Sequence, residues 1–368
     1  MDRRQLLFGA SALRLVTNLN LNHPLIAQVG NSVMGSRRLS DRERARLRGP
    51  VKTCSDFRED ETESNCEAEY SLDGRQLVRQ LVWRMHPRVA HIISFKWVYS
   101  YDGMGRLIGI TRGYEETHQV YDEQGKKIGS ETGPLRSDVT DTFHCDEQGR
   151  PTRIRTVPPN QVGFTVMLAA GMLEVTEEGG SLSAGGSVTT RYNDDDQPIE
   201  SLIHDAQGEL LTQIVYNYAN GLLVNKTLVI VRENLEATRQ LQKGFSEEEL
   251  RAILARRKAL LGELVGLRME RSYIYDDDRV IRRRTQMGNF RQDESKTYNE
   301  QGDANWTVTI QSGSLEPGEP ILRVKRSEFR YLYQYDSHGN WTERTTINTD
   351  RPDNPNTQRR TLAYYSLS

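Results

Sequence analysis

The sequence predicts an all-β protein built as a repetitive sheet of antiparallel hairpins. A short phrase recurs along the chain: an aromatic residue, Asp or Asn, two variable residues and Gly. The residues before several copies alternate in character as the two faces of a strand do, with Trp97, Tyr99 and Tyr101 on one face. The chain of 368 residues is only 36% hydrophobic and 27% charged, which suits a sheet with one solvated face better than a compact enzyme.

The repeated phrase is interpreted as a hairpin tip. Asp at the first position of the turn accepts a hydrogen bond from the backbone two residues later, and Gly three residues on adopts a positive φ that closes a type I turn with a bulge. The tip positions predicted in this way are Asp102, Gly105, Asp122, Gly125, Asp146, Gly149, Asp205, Gly208, Gly302, Asp336 and Gly339.

Two further copies, at Tyr192 and Tyr275, keep the aromatic residue and an acidic turn but lack the glycine. Their Asp clusters, 194–196 and 276–278, invite a calcium interpretation. We favour plain turns, because the clusters lack the alternating ligands and the distal Glu of an EF-hand loop.

The form of residues 99–107, Tyr-x-Tyr-Asp-x-x-Gly-Arg-Leu, resembles the YD repeat of bacterial Rhs proteins, wall-associated proteins and animal teneurins. The resemblance covers residues 51–368 with interruptions, and the chain is too short for the toxin-enclosing shell of the large members. Its ends, 49–52 and 335–341 with a last aromatic strand, are similar to those of small exported YD-repeat proteins. The resemblance implies an elongated or curled meander or solenoid without catalytic residues.

Residues 1–28 are predicted to be a twin-arginine-like export signal, because Arg3 and Arg4 precede a modest apolar stretch. The alternative is a short cytoplasmic helix with a chance arginine pair. Residues 29–50 form a polar lead-in, in which 40–48 is either a short helix or disordered. Residues 51–368 then form one repeat domain with two interruptions.

The first interruption, 157–190, is apolar and rich in glycine, and we expect it either to pack onto the sheet or to meet a partner. The second, 233–268, is predicted to be helical, with a capping box formed by Ser246 and Glu249. Its apolar stripe consists of Leu250, Ile253, Leu254, Leu261 and Leu264. We expect this helix to cover one face or an open end of the sheet, with partner docking as the alternative.

Cys54 and Cys66 flank an acidic stretch, and we predict that they form a disulfide in an oxidising compartment. A metal pair is the alternative, although no further Cys or His lies near them at zinc spacing. Cys145 takes the place of a repeat tyrosine and is predicted to be a buried core thiol.

The sequence favours binding over catalysis. Its seven histidines are scattered, and it contains no HExxH, no Gly-rich phosphate loop and no Gly-x-Ser-x-Gly elbow. A net charge of -2 argues against nucleic acid, and no apolar run is long enough for a transmembrane helix.

We therefore predict a non-catalytic scaffold without cofactors, periplasmic or extracellular, that binds an envelope carbohydrate or protein; the cytoplasm is the alternative location. Two other functions stay open. One is a carbohydrate-active enzyme of the envelope with unrecognised residues. The other is an accessory or immunity protein of a contact-dependent toxin system.

Overall fold

The chain was analysed as a computed structural model that describes residues 40–58, 66–84, 91–121, 127–134, 136–157, 187–205, 207–232, 247–263, 265–313, 320 and 323–366. Within these segments it forms nineteen β-strands and two α-helices, and its strands pair in antiparallel register. The prediction of an all-β antiparallel protein is confirmed.

The helices are α1 (Asp41–Arg44) and α2 (Glu247–Leu261). The strands of the first half are β1 (Val51–Arg58), β2 (Cys66–Tyr70), β3 (Gln76–Arg84), β4 (His91–Tyr101), β5 (Leu107–Tyr121), β6 (Lys127–Thr132), β7 (Arg136–Cys145), β8 (Pro151–Val157) and β9 (Ser187–Tyr192). Those of the second half are β10 (Pro198–His204), β11 (Leu210–Ala219), β12 (Leu222–Ile230), β13 (Arg268–Asp276), β14 (Arg279–Met287), β15 (Phe290–Tyr298), β16 (Ala304–Ser312), β17 (Val324–Tyr335), β18 (Trp341–Asn348) and β19 (Asn356–Tyr364).

By its internal contacts the described chain divides into two compact units. The central unit consists of Thr152–Arg330 and Asn348–Pro352. The terminal unit, which holds both ends of the described chain, consists of Leu39–Pro151, Tyr331–Ile347 and Asp353–Ser368.

In the central unit each strand from β9 to β16 pairs with the next strand along the chain. The pairing shifts register at the tyrosine before a tip, as at Tyr218, Tyr275 and Tyr298. Such a shift is a β-bulge, which increases the local twist. The bulge predicted for the repeated phrase therefore lies beside the tip in these copies.

In the terminal unit β1 pairs with β2 on one side and with β19 on the other, and Asp56 lies directly opposite Arg360. An elongated array with two free ends does not pair its first strand with its last, so that part of the expectation is wrong. The pairing satisfies backbone groups that edge strands would leave exposed, a long-range effect that no local motif encodes.

The core of the central unit is one apolar row across the sheet, covered by α2. Directly opposite residues on paired strands share one face of the sheet. The buried residues that meet on this face are Val188, Ile203, Ile214, Leu228, Leu267, Met269 and Met287. Leu260 of α2 packs into this row and is fully buried. The helix thus covers a sheet face, as one of the two expectations for it stated.

The helix α2 lies inside the predicted interruption 233–268. Most of the residues on which that prediction depended lie outside the part of the chain that the structure describes. This holds for Ser246 and for the side chains of the expected apolar stripe. The buried contact comes from Leu260, which that stripe did not include. The export signal, the apolar segment of 158–186, and the tip residues Asp122 and Gly125 also lie outside the described part of the chain.

In the lead-in, α1 covers only Asp41–Arg44 of the expected 40–48, with Ser40 as its N-cap. A capping box closes its start: the Ser40 hydroxyl accepts from the backbone of Glu43, whose carboxylate accepts from the Ser40 backbone. Ala45 and Leu47 after the helix are buried, and the Asp41 carboxylate accepts from the Tyr101 hydroxyl at 3.0 Å. Residues 40–50 of the lead-in are therefore anchored within the terminal unit.

Candidate functional site

The tip residues occupy the turns between strands, and the acidic side chain organises each turn. Asp102, Asp205 and Asp336 each accept hydrogen bonds of 2.9 Å from the backbone N–H groups two and four residues later. Asp146 accepts from the N–H of Arg150 at 2.8 Å. The glycines at positions 105, 149, 208, 302 and 339 have φ between 74° and 86°. These residues are thus engaged in the backbone of their own turns.

The copy at Tyr192 shows how a tip is built without glycine. Asp196 stands at the glycine position with φ of 61°, a conformation that Asp tolerates better than most residues. Asn193 supplies the side-chain oxygen that accepts from the backbone of Asp195 and Gln197. The acidic run therefore serves the turn itself.

The repeat tyrosines connect neighbouring hairpins through their hydroxyl groups. The hydroxyls of Tyr218, Tyr275 and Tyr298 donate to the backbone carbonyls of Pro198, Leu223 and Val280 at 2.7–3.0 Å. Each acceptor lies just after the tip of the preceding hairpin, and Tyr101 bonds the Gln76 carbonyl in the same way. These hydroxyl contacts connect one tip to the next.

The two cysteines of the predicted disulfide lie on adjacent strands as free, buried thiols. Cys54 is opposite Ala68, and Cys66 is opposite Asp56, so the two cysteines are diagonal neighbours. Diagonal Cβ atoms in a sheet lie about 7–8 Å apart or somewhat less, whereas a disulfide needs about 4 Å. Forming the bond would therefore require the backbone to shift, and the disulfide stays a prediction. Cys145 is half-buried.

Beside these thiols lies a buried arginine cluster, formed by Asp56, Trp341, Arg344 and Arg360. Arg360 donates to both oxygens of Asp56 at 2.7 and 3.2 Å, and its guanidinium lies 3.5 Å from the centre of the Trp341 ring. Arg344 lies 5.3 Å from the same ring and donates to the Gln358 side chain. Burial lowers the pKa of Arg344, because the charged form loses its water.

The chemistry of this cluster is structural. Burial raises the pKa of the Cys54 thiol to about 12 and that of Cys66 to about 11, so both stay protonated and unreactive at neutral pH. The Asp56 carboxylate is engaged by a bidentate guanidinium, the strongest common hydrogen-bonding partner for a carboxylate. Asp56 and Arg360 therefore neutralise each other, and the cluster offers no activated nucleophile.

The candidate functional site is an exposed group on the central unit, which we call the arginine patch: Arg282, Arg284, Arg291 and Asp293. Arg284 and Arg291 each donate through Nε to a different oxygen of Asp293 at 2.7 Å, and Arg282 lies 3.7 Å from the same carboxylate. The three arginine side chains are 41–47% exposed, whereas Asp293 is 14% exposed.

Strand pairing explains why these residues meet. Arg284 of β14 is directly opposite Asp293 of β15, and Asp293 is opposite Ile310 of β16. Ile274 of β13 is opposite Arg282, so exposed isoleucines border the patch on both sides. Arg283 points to the other face, where it contacts the buried Glu294 at 3.3 Å.

The electrostatics of the patch favour anions. Although partial burial opposes it, hydrogen bonds from Arg284 and Arg291 hold the pKa of the Asp293 carboxyl below its usual range. Three positive charges therefore surround one negative charge at a solvated surface. The signal for this site in the sequence is the run of three arginines at 282–284. Strand alternation places two of the three on one face.

Within the described residues, no group of three or more His, Cys, Asp or Glu side chains is arranged to hold a metal ion. None of the helices in the described segments is long and apolar enough to cross a membrane.

The comparisons with known proteins identify no family. No family model matches the chain, and no curated protein matches it. Similar solved structures include two porin-like proteins, from Bacteroides uniformis ATCC 8492 and Bacteroides vulgatus ATCC 8482, with TM-scores of 0.37 and 0.23. Each is 10% identical, and each alignment covers 86% of this chain and 99% of the other chain. Scores this low carry no argument about what this chain does.

Proposed function

We propose that this protein is a non-catalytic, exported β-sheet scaffold whose exposed face binds an anionic carbohydrate of the cell envelope. The observation that carries the proposal is the arginine patch, in which three half-exposed guanidinium groups share the single carboxylate of Asp293. The overall net charge of -2 makes a local excess of positive charge informative.

The contacts within the patch leave it able to bind. A guanidinium has five N–H donors in a planar fork that matches carboxylate and phosphate groups. Arg284 and Arg291 each contact Asp293 through Nε, on the inner side of that fork. The outer N–H groups are then suited to the acidic groups of a polysaccharide.

The exposed isoleucines on either side of the arginine patch favour a carbohydrate ligand over an isolated ion. Ile274 and Ile310 are both about half exposed and lie directly across from Arg282 and Asp293. Sugar rings present apolar C–H faces as well as polar edges. A site that combines exposed aliphatic groups with guanidinium groups can contact both.

The scaffold part of the proposal is supported by the roles of the repeat residues. The Asp residues of the tips bond their own turns, and the tyrosine hydroxyls bond the neighbouring hairpin. These side chains are engaged in structure, and the two buried thiols beside them are protonated. Binding by an exposed sheet face needs none of them to react.

The test is equilibrium binding of the full chain to polygalacturonate, with uncharged dextran as the second probe. We expect polygalacturonate to bind at least tenfold more tightly than dextran, and its affinity to fall as salt rises. The triple variant Arg282→Gln, Arg284→Gln, Arg291→Gln should lose at least tenfold, which is about 1.4 kcal/mol. The matched control is Arg251→Gln, because Arg251 is an exposed arginine of α2. Equal binding of both probes, or full affinity in the triple variant, would overturn the proposal.

A further inference from the structure

The sheet face that carries the arginine patch also includes side chains of β16 and β17. Ile310 of β16 lies directly opposite Asp293 on one side and directly opposite Arg326 of β17 on the other. Directly opposite residues share one face of a sheet. One row on this face therefore crosses four adjacent strands, and its members are Arg284, Asp293, Ile310 and Arg326.

A second group of charged side chains lies at the β17 end of this row. Arg326 donates through Nη2 to the Glu328 carboxylate at 2.6 Å, and strand alternation places Arg330 on the same face. The side chain of Arg326 is 62% exposed, that of Glu328 is 16% exposed, and Arg330 is exposed. We call these three residues the β17 cluster. Its two guanidinium groups outnumber its one carboxylate.

The carboxylate of the β17 cluster is held in place by groups outside the cluster. The Trp306 indole donates through Nε1 to Oε1 of Glu328 at 3.0 Å, which leaves Oε2 for Arg326. The backbone carbonyl of Glu328 accepts from the N–H of Thr349 at 3.0 Å. Glu328 therefore orients Arg326 as Asp293 orients the arginines of the patch. A guanidinium has five N–H donors, so one contact through Nη2 leaves others able to bind a ligand.

An aliphatic strip of β16 separates the arginine patch from the β17 cluster. It consists of Ile310, which is 44% exposed, and Val308, which lies directly opposite Glu328. Neighbouring strands are about 4.8 Å apart, so the backbones at Arg284 and Arg326 are about 14 Å apart. A single sugar ring is shorter than this distance, whereas a short oligosaccharide can span it.

The patch and the β17 cluster together are strongly cationic. Their five arginines are Arg282, Arg284, Arg291, Arg326 and Arg330, and their two carboxylates belong to Asp293 and Glu328. Both carboxylates are less exposed than the arginines that contact them. A ligand that approaches this face therefore meets guanidinium groups first, at both ends of an aliphatic strip.

We propose that the arginine patch and the β17 cluster form one binding surface for an acidic oligosaccharide that runs across the strands. Acidic groups of the ligand pair with guanidinium groups at both ends, and the C–H face of a sugar ring between them packs on Ile310. This inference rests on the proposed function and adds the length and direction of the ligand. A chain that reaches both clusters gains affinity because its second contact is intramolecular.

The experiment is a binding titration of the full chain with galacturonate oligomers of increasing length. We expect hexagalacturonate to bind at least tenfold more tightly than digalacturonate, because only the longer chain reaches both clusters. The double variant Arg326→Gln, Arg330→Gln should remove this gain and retain the affinity for digalacturonate, which shows that the variant is folded. Lys325→Gln is the matched control, because Lys325 is exposed on the same strand but lies opposite Gln311 on the other face.

The outcomes separate this inference from the proposed function. Equal affinity for both oligomers, or an unchanged gain in the double variant, would overturn the extended surface and leave the arginine patch as a site by itself. A gain lost equally in Lys325→Gln would also overturn it, because the effect would then be one of net charge. If no oligomer of any length binds, the proposed function and the extended surface are both wrong.

Discussion

The two units stabilise the buried face of the same kind of hairpin sheet by different means. The central unit aligns apolar residues in one row and covers them with Leu260 of α2. The terminal unit places Asp56 and Arg360 opposite each other and packs the guanidinium on Trp341. The comparison teaches that the hairpin repeat constrains the backbone and leaves the chemistry of each face open. The row of the central unit relies on apolar area removed from water, whereas the terminal unit adds a paired charge to buried residues such as Val51 and Tyr70.

The largest expected effect follows from breaking the buried ion pair. Asp56→Ala leaves the Arg360 charge buried without its carboxylate, so the free energy of unfolding should fall by about 3–5 kcal/mol. Urea denaturation measures it. The double variant Asp56→Leu, Arg360→Met should recover most of the loss, because both charges are removed together. Glu247→Ala, at an exposed ion pair, is the control and should cost less than about 1 kcal/mol. A loss in Asp56→Ala no larger than this control would contradict the role of the ion pair.

The second-largest expected effect on stability concerns the central unit. Leu260→Ala opens a cavity where α2 meets the apolar row, and the free energy of unfolding should fall by about 2–5 kcal/mol. Lys258→Ala, an exposed position on the same helix, should change it by less than about 0.5 kcal/mol. If the two variants unfold at the same urea concentration, the helix does not stabilise this face.

The third effect concerns the thiols beside the ion pair, in fully reduced protein. Burial raises the pKa of Cys54 and Cys66 from 9.0 to about 12 and about 11, so the unfolded chain loses these protons at lower pH than the folded chain. Stability should be constant below about pH 9 and fall above it, by up to about 1.4 kcal/mol per pH unit for each thiol.

Stability measured against pH, with and without reductant, also tests the predicted disulfide. Replacing both cysteines by alanine should flatten the alkaline slope, because the titrating groups are gone. An oxidised parent that lacks the slope, together with mass spectrometry of protein from its native host, would establish the Cys54–Cys66 bond. A slope that is unchanged in the double alanine variant would assign the alkaline loss to other groups.

The smallest expected effect concerns two hairpin tips, at Gly208 and Gly105, that have similar backbone conformations but different surroundings. Gly208→Ala meets open space, so it should cost only the strain of a positive φ, about 1 kcal/mol. At Gly105 a new Cβ would lie 2.6 Å from the Arg75 guanidinium, which packs on the Tyr101 ring. Gly105→Ala should therefore cost more, by about 0.5–1 kcal/mol for the lost cation–π contact. Equal midpoints for the two variants would mean that this contact contributes nothing.

Much of the fold could be predicted from the sequence because its signals are local. A turn with Asp at its start, such as Asp336, makes its hydrogen bonds within four residues. Strand alternation before Tyr101 is visible over five residues. The helix α2 was predictable because its own residues favour it, although the side chain that packs, Leu260, was missed. Its burial depends on Phe290 and the apolar row, which lie elsewhere in the chain.

By itself, then, the sequence determined the antiparallel hairpins, the turns and the position of the helix, since each arises from contacts between near neighbours. Only the tertiary structure decided that β1 pairs with β19, that Asp56 meets Arg360 across 304 positions, and that three arginines converge on Asp293. Register is the physical reason. A slip of one residue would move every side chain of a strand to the opposite face, and that choice is made by the whole sheet rather than by any single hairpin.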